Sequence, residues 1–328
     1  MKALVYTGPE ALELREVEIP APADGDVLVK VSHCGICGSD MHAWLGHDER
    51  RPAPLILGHE VAGTVVSGSR QGMRVTVNPL ATCGKCDACK EGRNNLCASR
   101  QIISMPPREG GFAEYIAIPE ENLVEVPSHV PFEMAALTEP IACGWHAVRL
   151  ASHVLSRGLA RSGCLVLGGG AIGLGAALSL QAQGAGSITI REPNAARRER
   201  LAQSGTFGIE QPSPASSQRF DLVIDGAGFA ATRQEASAVV KPGGVIMHIG
   251  LGSSEGGLDV RRMTLQEVTF IGTYTYTPQD FRDTAHAIFD GRMGRLDWAG
   301  IRKLETGAAA FSEIHAGKAS EPKIILSI

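Results

Sequence analysis

The 328-residue sequence has few aromatic residues and no excess of positive charge. It contains 3 Trp, 4 Tyr and 9 Phe, and its 31 Lys and Arg face 35 Asp and Glu, which gives a formal charge of −4. This charge excludes the electrostatic footprint of a protein that binds nucleic acid or an anionic membrane. Scarce aromatic residues also argue against a stacking surface for single strands. We therefore expect small-molecule partners, with no nucleic acid and no membrane.

A long, purely apolar run is also missing. The segment from Ser162 to Ile190 has no charged residue, but it contains eight glycines. The Gly168–Gly170 triplet would break a membrane-spanning helix at its centre. Met1–Tyr6 has no apolar leader of the kind that signal peptides carry. We expect a soluble protein of the cytoplasm.

The eight cysteines are unevenly distributed, and four of them lie within fifteen residues. Cys83, Cys86, Cys89 and Cys97 have the spacing C-x2-C-x2-C-x7-C. Such crowding is typical of metal binding rather than of disulfides. Four thiolates in one short lobe match a closed, tetrahedral structural zinc site. An iron–sulfur cluster is the alternative, although the usual spacing is absent.

A second group combines cysteine, histidine and acidic residues. Cys34 and Cys37 form a C-x-x-C pair, and the adjacent His59 and Glu60 follow about twenty residues later. The pair alone could be a redox motif, but that motif belongs in a thioredoxin-like βαβ context. A catalytic zinc instead needs about three mixed ligands and one open position, which Cys37, His59 and an acidic residue can provide. Spacing alone leaves both interpretations open.

The pattern of short elements predicts an α/β protein with two domains. The first 130 residues hold strand-like runs separated by prolines, and they predict an irregular all-β domain. Buried strand-like runs then alternate with helical stretches, which is typical of a doubly wound parallel sheet. The strand predictions there are 164–167, 187–190, 222–224 and 245–249, the helix predictions are 172–183, 195–202 and 232–240, and 211–218 is predicted as a surface loop. We place the domains at 1–140, completed by the tail 291–328, and at 141–290.

The glycine-rich segment predicts a dinucleotide site. Gly168, Gly170 and Gly173 follow an apolar strand and open a helix, which is the context that the G-x-G-x-x-G fingerprint requires. The glycines let a pyrophosphate approach the helix N-terminus. Glu192 lies nineteen residues beyond Gly173, where an acid accepts the adenosine ribose 2′-hydroxyl and repels a 2′-phosphate.

Together these motifs resemble the zinc-dependent medium-chain alcohol dehydrogenase superfamily, and within it the sorbitol, threonine and polyol dehydrogenases. The resemblance spans nearly the whole chain. Beyond the cysteine lobe, it is carried by the segments 37–42 (CGSDMH), 57–60 (LGHE), 110–115 (GGFAEY) and 138–140 (TEP). It implies a GroES-like β domain packed against a Rossmann domain, with the site between them.

The resemblance also implies roles for single residues. Cys37 and His59 would bind the catalytic zinc, and either Glu60 or Glu139 would be the third ligand. Ser39 and His42 would carry the proton away, while Cys34 would only pack. The expected cofactor contacts are Ile172, Glu192 and Arg197 on the adenosine side, and Gly250, Leu251, Thr273 and Tyr274 on the nicotinamide side.

Two departures from the family bear on the cofactor and the fold. Glu192 stands where the family usually has Asp, and Arg191 beside it could attract a 2′-phosphate, as could Arg197 and Arg198. NAD is favoured, with NADP as the alternative. The stretch from Leu201 to Phe220 is short, so we expect a peripheral helix to be missing.

The predicted function is oxidation of a secondary alcohol, a polyol or sugar alcohol, with zinc and NAD. The segment Trp44–Pro54 is expected to border the pocket, where charged side chains suit a polyhydroxylated or phosphorylated alcohol; Arg50 and Arg51 are expected to be solvated. The alternatives are an NADPH-dependent ketone or sugar reductase and a non-catalytic dinucleotide-binding protein. The resemblance implies a homodimer or homotetramer.

Overall fold

The fold was analysed in a computed structural model, which describes residues 1–203, 206–213 and 217–328. Its first part is built mostly of short strands. These are β1 (Lys2–Gly8), β2 (Ala11–Glu16), β3 (Asp26–Gly35), β4 (Leu55–Ile56), β5 (Glu60–Val65), β6 (Arg74–Val77), β7 (Leu80–Ala81), β8 (Gln101–Ile102), β9 (Tyr115–Pro119) and β10 (Leu123–Glu125). Two short helices interrupt them, α1 (Gly38–Trp44) and α2 (Asp87–Lys90). The prediction of an all-β segment was therefore wrong at α1, the helix that carries Ser39 and His42.

The second part alternates helices with strands. Its helices are α3 (Phe132–Ala136), α4 (Thr138–Val154), α5 (Ala171–Ala182), α6 (Ala195–Ala202), α7 (Ala230–Val239), α8 (Val260–Leu265) and α9 (Pro278–Phe289). Its strands are β11 (Gly163–Leu167), β12 (Ser187–Arg191), β13 (Gly208–Glu210), β14 (Phe220–Asp225), β15 (Val240–His248) and β16 (Thr269–Gly272). They form one six-stranded sheet in the order β13-β12-β11-β14-β15-β16, in which every pairing is parallel. This sheet confirms the predicted doubly wound α/β fold.

The C-terminal segment returns to the first part of the chain. It consists of β17 (Ala299–Lys303), α10 (Gly307–His315) and β18 (Lys323–Ser327). Strand β18 runs antiparallel to β3, with Leu326 opposite Cys34, and extends a sheet in the order β10-β6-β5-β3-β18-β17. The pairing supports the predicted role of the tail, while the exact domain boundaries stay a prediction.

The loop between β13 and β14 is short. Residues 211–213 and 217–219 belong to no helix or strand, as predicted for a surface loop, and the middle of the predicted loop, 214–216, lies outside the described residues. Near this loop the Arg191 side chain is buried: its guanidinium contacts the Glu210 and Glu235 carboxylates at 3.0 and 2.9 Å and lies over the Phe220 ring. A buried ion pair thus fills space beside the sheet.

Helix α4 connects the two parts of the molecule. Gly144 lets α4 approach α5 closely, because a Cβ at that position would lie 2.6 Å from the Ala176 backbone. His146 and Arg149, farther along α4, bind the buried Asp280 carboxylate of α9 at 2.8 and 2.5 Å. Side-chain bonds from His146, Arg149 and Thr277 more than offset burial and hold the pKa of Asp280 well below its ordinary value. These contacts fix the start of α4 relative to the segment before α9. No helix among the described residues is long and apolar enough to cross a membrane.

Candidate active site

The N-terminus of α1 brings Cys37 and His59 together through a buried carboxylate. Asp40 is fully buried, and its oxygens accept the backbone N–H of Cys37 at 2.9 Å and of Gly58 at 3.2 Å. Gly58 has φ +92, and a Cβ there would collide with Phe112 and the Cys34 sulfur. Asp40 therefore holds the two loops that carry Cys37 and His59 against each other.

The same carboxylate orients the His59 ring. His59 Nδ1 lies 3.5 Å from Asp40 Oδ1 and 3.3 Å from Ser104 Oγ, so Nε2 is the ring nitrogen left for a metal. Burial acts to lower the pKa of His59, but Asp40 more than offsets burial and raises it well above its ordinary value. A carboxylate behind a histidine is the usual support for a metal-ligating imidazole.

Glu60, the first residue of β5, has two carboxylate oxygens in different surroundings. Oε1 lies 2.5 Å from the ammonium of Lys323, which also donates to Ile36 O at 2.8 Å. Oε2 is buried and has no hydrogen-bond partner among the described residues. Gly35 in β3 makes room for it, because a Cβ there would lie 1.8 Å from Oε2. An unpartnered buried carboxylate oxygen is costly unless a ligand satisfies it.

Cys37, His59 and Glu60 form one potential metal-binding group. One ligand atom from each residue lies within 4.8 Å of the other two. Sulfur, nitrogen and oxygen are the donors that zinc takes, and three protein ligands leave the open position of a catalytic zinc. The orphaned Glu60 Oε2 shows that these residues fit the ion. Cys34 is fully buried in β3, outside the βαβ context that a redox pair requires.

Glu139, the other predicted third ligand, lies at the start of α4 and is engaged elsewhere. Its Oε1 accepts a hydrogen bond of 2.6 Å from the fully buried Tyr276 hydroxyl. Burial raises the pKa of Glu139. Among the described residues, the group of potential ligands around Cys37 contains Glu60 and not Glu139.

The four cysteines of the lobe are arranged for a second ion. The sulfur–sulfur distance is 3.5 Å for Cys86 and Cys89, 3.5 Å for Cys97 and Cys83, and 4.0 Å for Cys83 and Cys89. Tetrahedral coordination at a zinc–sulfur distance of about 2.3 Å places sulfurs about 3.8 Å apart. Backbone N–H groups of Lys85 and Cys86 lower the pKa of Cys83 to about 6, which favours the thiolate. The lobe therefore fits a structural zinc.

Ser39 and His42, the predicted proton carriers, lie on α1 three residues apart and thus on one face of the helix. Ser39 is half-buried and His42 exposed, the order that a path from the site to solvent requires. Arg51 donates to the Ser39 carbonyl at 3.0 Å and to the Ser104 carbonyl at 2.9 Å. The prediction that Arg51 is solvated was wrong, because Arg51 is 3% exposed and its hydrogen bonds hold the loop beside the site. Arg50 is exposed, as predicted.

The glycine-rich turn has the geometry of a pyrophosphate site. Gly168 has φ +96, Gly170 caps α5, and a Cβ on Gly173 would lie 1.8 Å from the Gly168 carbonyl. The first N–H groups of α5 thus remain available to an anion. Ile172 is half-buried in the first turn of α5.

Glu192 is fixed beside this turn. Its carboxylate oxygens accept the backbone N–H groups of Gly169 and Asn194, both at 2.7 Å, and Arg197 Nη1 lies 3.6 Å away. The suggestion that Arg191 attracts a 2′-phosphate was wrong, because Arg191 is buried with Glu210 and Glu235. Arg198 is also engaged, since its Nη1 donates to the Glu192 and Pro193 carbonyls.

The predicted nicotinamide residues follow β15 and β16. Position 250 requires glycine because the backbone of Ala227 approaches it closely: a Cβ there would lie 2.2 Å from the Ala227 carbonyl carbon. Leu251 is 76% exposed. Thr273 donates its N–H to His248 O at 3.0 Å, and the Tyr274 carbonyl accepts from Asn95 of the cysteine lobe at 2.7 Å. The segment between β16 and α9 therefore reaches the first part of the chain.

Sequence reasoning missed four residues that build this site: Asp40, Ser104, Tyr276 and Lys323. Asp40 lies inside the 37–42 motif, three residues after Cys37, and this position could have pointed to a role in holding the site. Lys323 lies 263 residues from Glu60, and no local pattern pointed to it.

The chain matches two family models, described as the alcohol dehydrogenase GroES-like domain (residues 23–128) and the zinc-binding dehydrogenase domain (residues 171–290). It is 32% identical over 312 residues to L-galactonate-5-dehydrogenase of Escherichia coli K12, covering 89% of this chain and 88% of the relative. It is 33% identical over 313 residues to sorbitol dehydrogenase of Bacillus subtilis, covering 88% and 87%.

Solved structures agree over the full length. A zinc-binding dehydrogenase of Sinorhizobium meliloti bound to NADP has a TM-score of 0.88, with 28% identity and coverage of 100% of this chain and 99% of that one. An E. coli CFT073 protein described as a short chain alcohol dehydrogenase, complexed with NADH, has a TM-score of 0.90, with 25% identity and the same coverage. The chain therefore belongs to the zinc-dependent medium-chain alcohol dehydrogenase family, in its polyol dehydrogenase branch.

Proposed function

We propose that this oxidoreductase oxidises a secondary alcohol group of a polyol or sugar alcohol, with NAD as hydride acceptor. The observation that carries the proposal is the group of Cys37, His59 and Glu60, in which one buried carboxylate oxygen has no partner among the described residues. Zinc bound there would supply a Lewis acid for the substrate oxygen. Sorbitol and L-galactonate dehydrogenases among the relatives support a polyhydroxylated substrate.

The chain's own residues would remove the proton. A hydroxyl next to the ligand cysteine can accept a proton and donate its own, and Ser39 is two residues from Cys37. His42 lies one helical turn farther toward solvent and can release the proton there. The bonds from Arg51 to the backbone of Ser39 and Ser104 keep the hydroxyl and His59 in place.

Glu60, rather than Glu139, is the third ligand in this proposal. A carboxylate oxygen of Glu60 belongs to the group around Cys37, Lys323 fixes Oε1, and Oε2 has no partner among the described residues. The Tyr276 hydroxyl donates to the Glu139 carboxyl instead, so Glu139 forms a wall of the site rather than a ligand.

NAD is favoured over NADP because the acid is in place and two of the nearby arginines, Arg191 and Arg198, are engaged by protein groups. Glu192 is 3% exposed with both oxygens held by backbone N–H groups. A 2′-phosphate would meet that charge, while Arg191 is paired elsewhere. The alternative of an NADPH-linked reductase thus loses its main support.

A homodimer is the proposed assembly. β16 is one of the two edge strands of the six-stranded sheet. Its Phe270 is 36% exposed, and Val260 and Leu265 of the preceding α8 are 65% and 72% exposed. An unpaired edge with apolar neighbours suits pairing with a second copy across a two-fold axis.

We also propose a cytoplasmic location, because a reducing compartment suits eight cysteines that form no disulfide in the described structure. Cell fractionation tests this directly, and recovery from an oxidising compartment would contradict it.

Replacing Cys37 should separate chemistry from cofactor binding. We expect Cys37→Ser to lower turnover at least 1,000-fold, about 4 kcal/mol in the barrier, because the metal loses a ligand. NADH binding, followed by fluorescence, should change less than threefold. Cys164→Ser, a buried cysteine of β11, is the control and should stay active. Retained activity in Cys37→Ser would contradict the proposal.

Replacing each glutamate should identify the third ligand. Glu60→Gln should lower the zinc content from about two ions per chain to about one, as measured by mass spectrometry of the metal. Glu139→Gln should keep both ions, since the Tyr276 hydroxyl can still donate to the amide oxygen. The opposite pattern would show that Glu139 is the ligand.

Removing the Glu192 carboxylate should relax cofactor choice. We expect Glu192→Ala to lower the NAD over NADP ratio of kcat/KM at least tenfold, because the ribose hydroxyls lose their acceptor and the repulsion of a 2′-phosphate disappears. Glu199→Ala, an exposed residue of α6, should leave the ratio unchanged. An unchanged ratio in Glu192→Ala would refute this assignment.

A charge on β16 should dissociate the dimer. Phe270→Lys is expected to sediment as a monomer of 34.6 kDa, whereas Val154→Lys, an exposed apolar position on α4, should remain dimeric. A wild-type monomer, or a Phe270→Lys dimer, would contradict the proposed interface.

A further inference from the structure

Arg100 is an arginine that the structure holds firmly but does not neutralise. It follows the cysteine lobe directly, and its Nη1 donates to the Cys97 carbonyl at 2.9 Å. Its guanidinium lies 4.8 Å from the centre of the Tyr274 ring, with Nε 3.4 Å from the Tyr274 hydroxyl. A neutral carbonyl and an aromatic ring orient the group without cancelling its charge.

No carboxylate of residues 1–203, 206–213 and 217–328 forms an ion pair with Arg100 within 4.0 Å. Its Nη2 likewise has no hydrogen bond among the described residues, so the outer face of the guanidinium is available. By contrast Arg93, in the same lobe, is paired with Glu91. The arrangement of Arg100 is therefore specific and not a general property of arginines in the lobe.

Arg50, on the loop after α1, shows the contrast. Its Nε and Nη2 donate to the Asp48 carboxylate at 2.8 and 2.9 Å, and these bonds raise the pKa of Arg50. Asp48 also accepts from Arg51 at 3.1 Å. Both arginines of that loop are therefore paired with a carboxylate, whereas Arg100 is not.

Arg100 packs on a segment that reaches the candidate zinc group. Tyr276, two residues beyond Tyr274, donates to Glu139 at the start of α4. Two residues of chain span at most about 7 Å, so Tyr274 and the Arg100 guanidinium lie on the Glu139 side of the site, which we call its rim. A polyol whose alcohol carbon lies at Cys37, His59 and Glu60 would extend toward this rim.

Building on the proposed function, we propose that the substrate is an anionic polyol, with a carboxylate or phosphate group remote from the oxidised carbon, and that Arg100 binds that anion. Guanidinium groups bind both anions through paired N–H donors. The reaction is that of the proposed function: the carbinol hydride passes to NAD, the hydroxyl proton leaves through Ser39 and His42, and the anionic group is unchanged.

The test compares neutral and anionic substrates of matched carbon skeleton on the NAD- and zinc-loaded enzyme. The probes are sorbitol, mannitol and galactitol, the corresponding hexonates, and the corresponding hexitol phosphates, assayed by NADH formation. We expect at least one anionic probe to exceed its neutral hexitol tenfold or more in kcat/KM. The hexonate and phosphate arms identify which anion the site takes.

Variants then assign the effect to Arg100. Arg100→Gln should raise KM for the preferred anion at least tenfold with kcat within threefold, and should leave KM for the neutral hexitol within twofold. Arg100→Lys should recover part of the loss, and Arg93→Gln should behave as wild type. Calorimetric titration of the preferred anion into the enzyme–NADH complex should show the same loss in Arg100→Gln, independently of turnover. Far-ultraviolet circular dichroism and two bound zinc ions show that the variant is folded.

The outcomes distinguish this inference from the proposed function. Two results would overturn the anion site and leave the proposed dehydrogenase activity intact. One is a kcat/KM for neutral hexitols that equals or exceeds that for the anions. The other is an equal rise of KM for the neutral hexitol and the anion in Arg100→Gln. No NADH with any alcohol, although zinc and NAD are bound, overturns the proposed function itself.

Discussion

The buried ion pair between Glu60 and Lys323 is the contact on which the candidate site depends. Both side chains are at most 5% exposed, and burying either charge alone would cost several kcal/mol. Burial lowers the pKa of Lys323, but Glu60 more than offsets burial and keeps the ammonium charged. Lys323 therefore fixes one oxygen of Glu60, while the other is buried without a partner among the described residues and is free to bind a metal.

This pair also explains why the last strand must return to the first sheet. Lys323 is the first residue of β18, and β18 pairs with β3, which carries Gly35 opposite Glu60. The three proposed zinc ligands lie within the first 60 residues, yet the cation that pairs with Glu60 is residue 323. A chain without β18 would leave Glu60 buried without its cation and would expose the edge of β3.

The second part of the molecule is held against this group from the other side. α4 carries Glu139 in its first turn and packs against α5 at Gly144 and against α9 through Asp280. The segment before α9 supplies Tyr276 to Glu139 and Tyr274 to Asn95 and Arg100. The structural zinc lobe thus contacts the same segment as the wall of the active site, which gives the lobe a role beyond its own stability.

How far the sequence predicted the site follows from the range of each interaction. Cys83 to Cys97, Gly168 to Gly173 and α6 were predicted because local spacing determines them. The choice between Glu60 and Glu139 remained open because both are acids near the motif, and it depends on Lys323 and Tyr276, which are 263 and 137 residues away. Arg191 and Arg51 were misjudged for the same reason, since only tertiary contacts reveal which arginines are already paired.

The central claim is that Cys37, His59 and Glu60 hold one zinc and the four-cysteine lobe another. A crystal structure of the zinc-loaded protein, with anomalous scattering measured at the zinc edge, tests it most directly. The account predicts two peaks per chain, one about 2.0–2.3 Å from Cys37 Sγ, His59 Nε2 and Glu60 Oε2, and one about 2.3 Å from four thiolates. A first peak bound by Glu139 or Cys34 in place of Glu60, or a lobe without zinc, would contradict it.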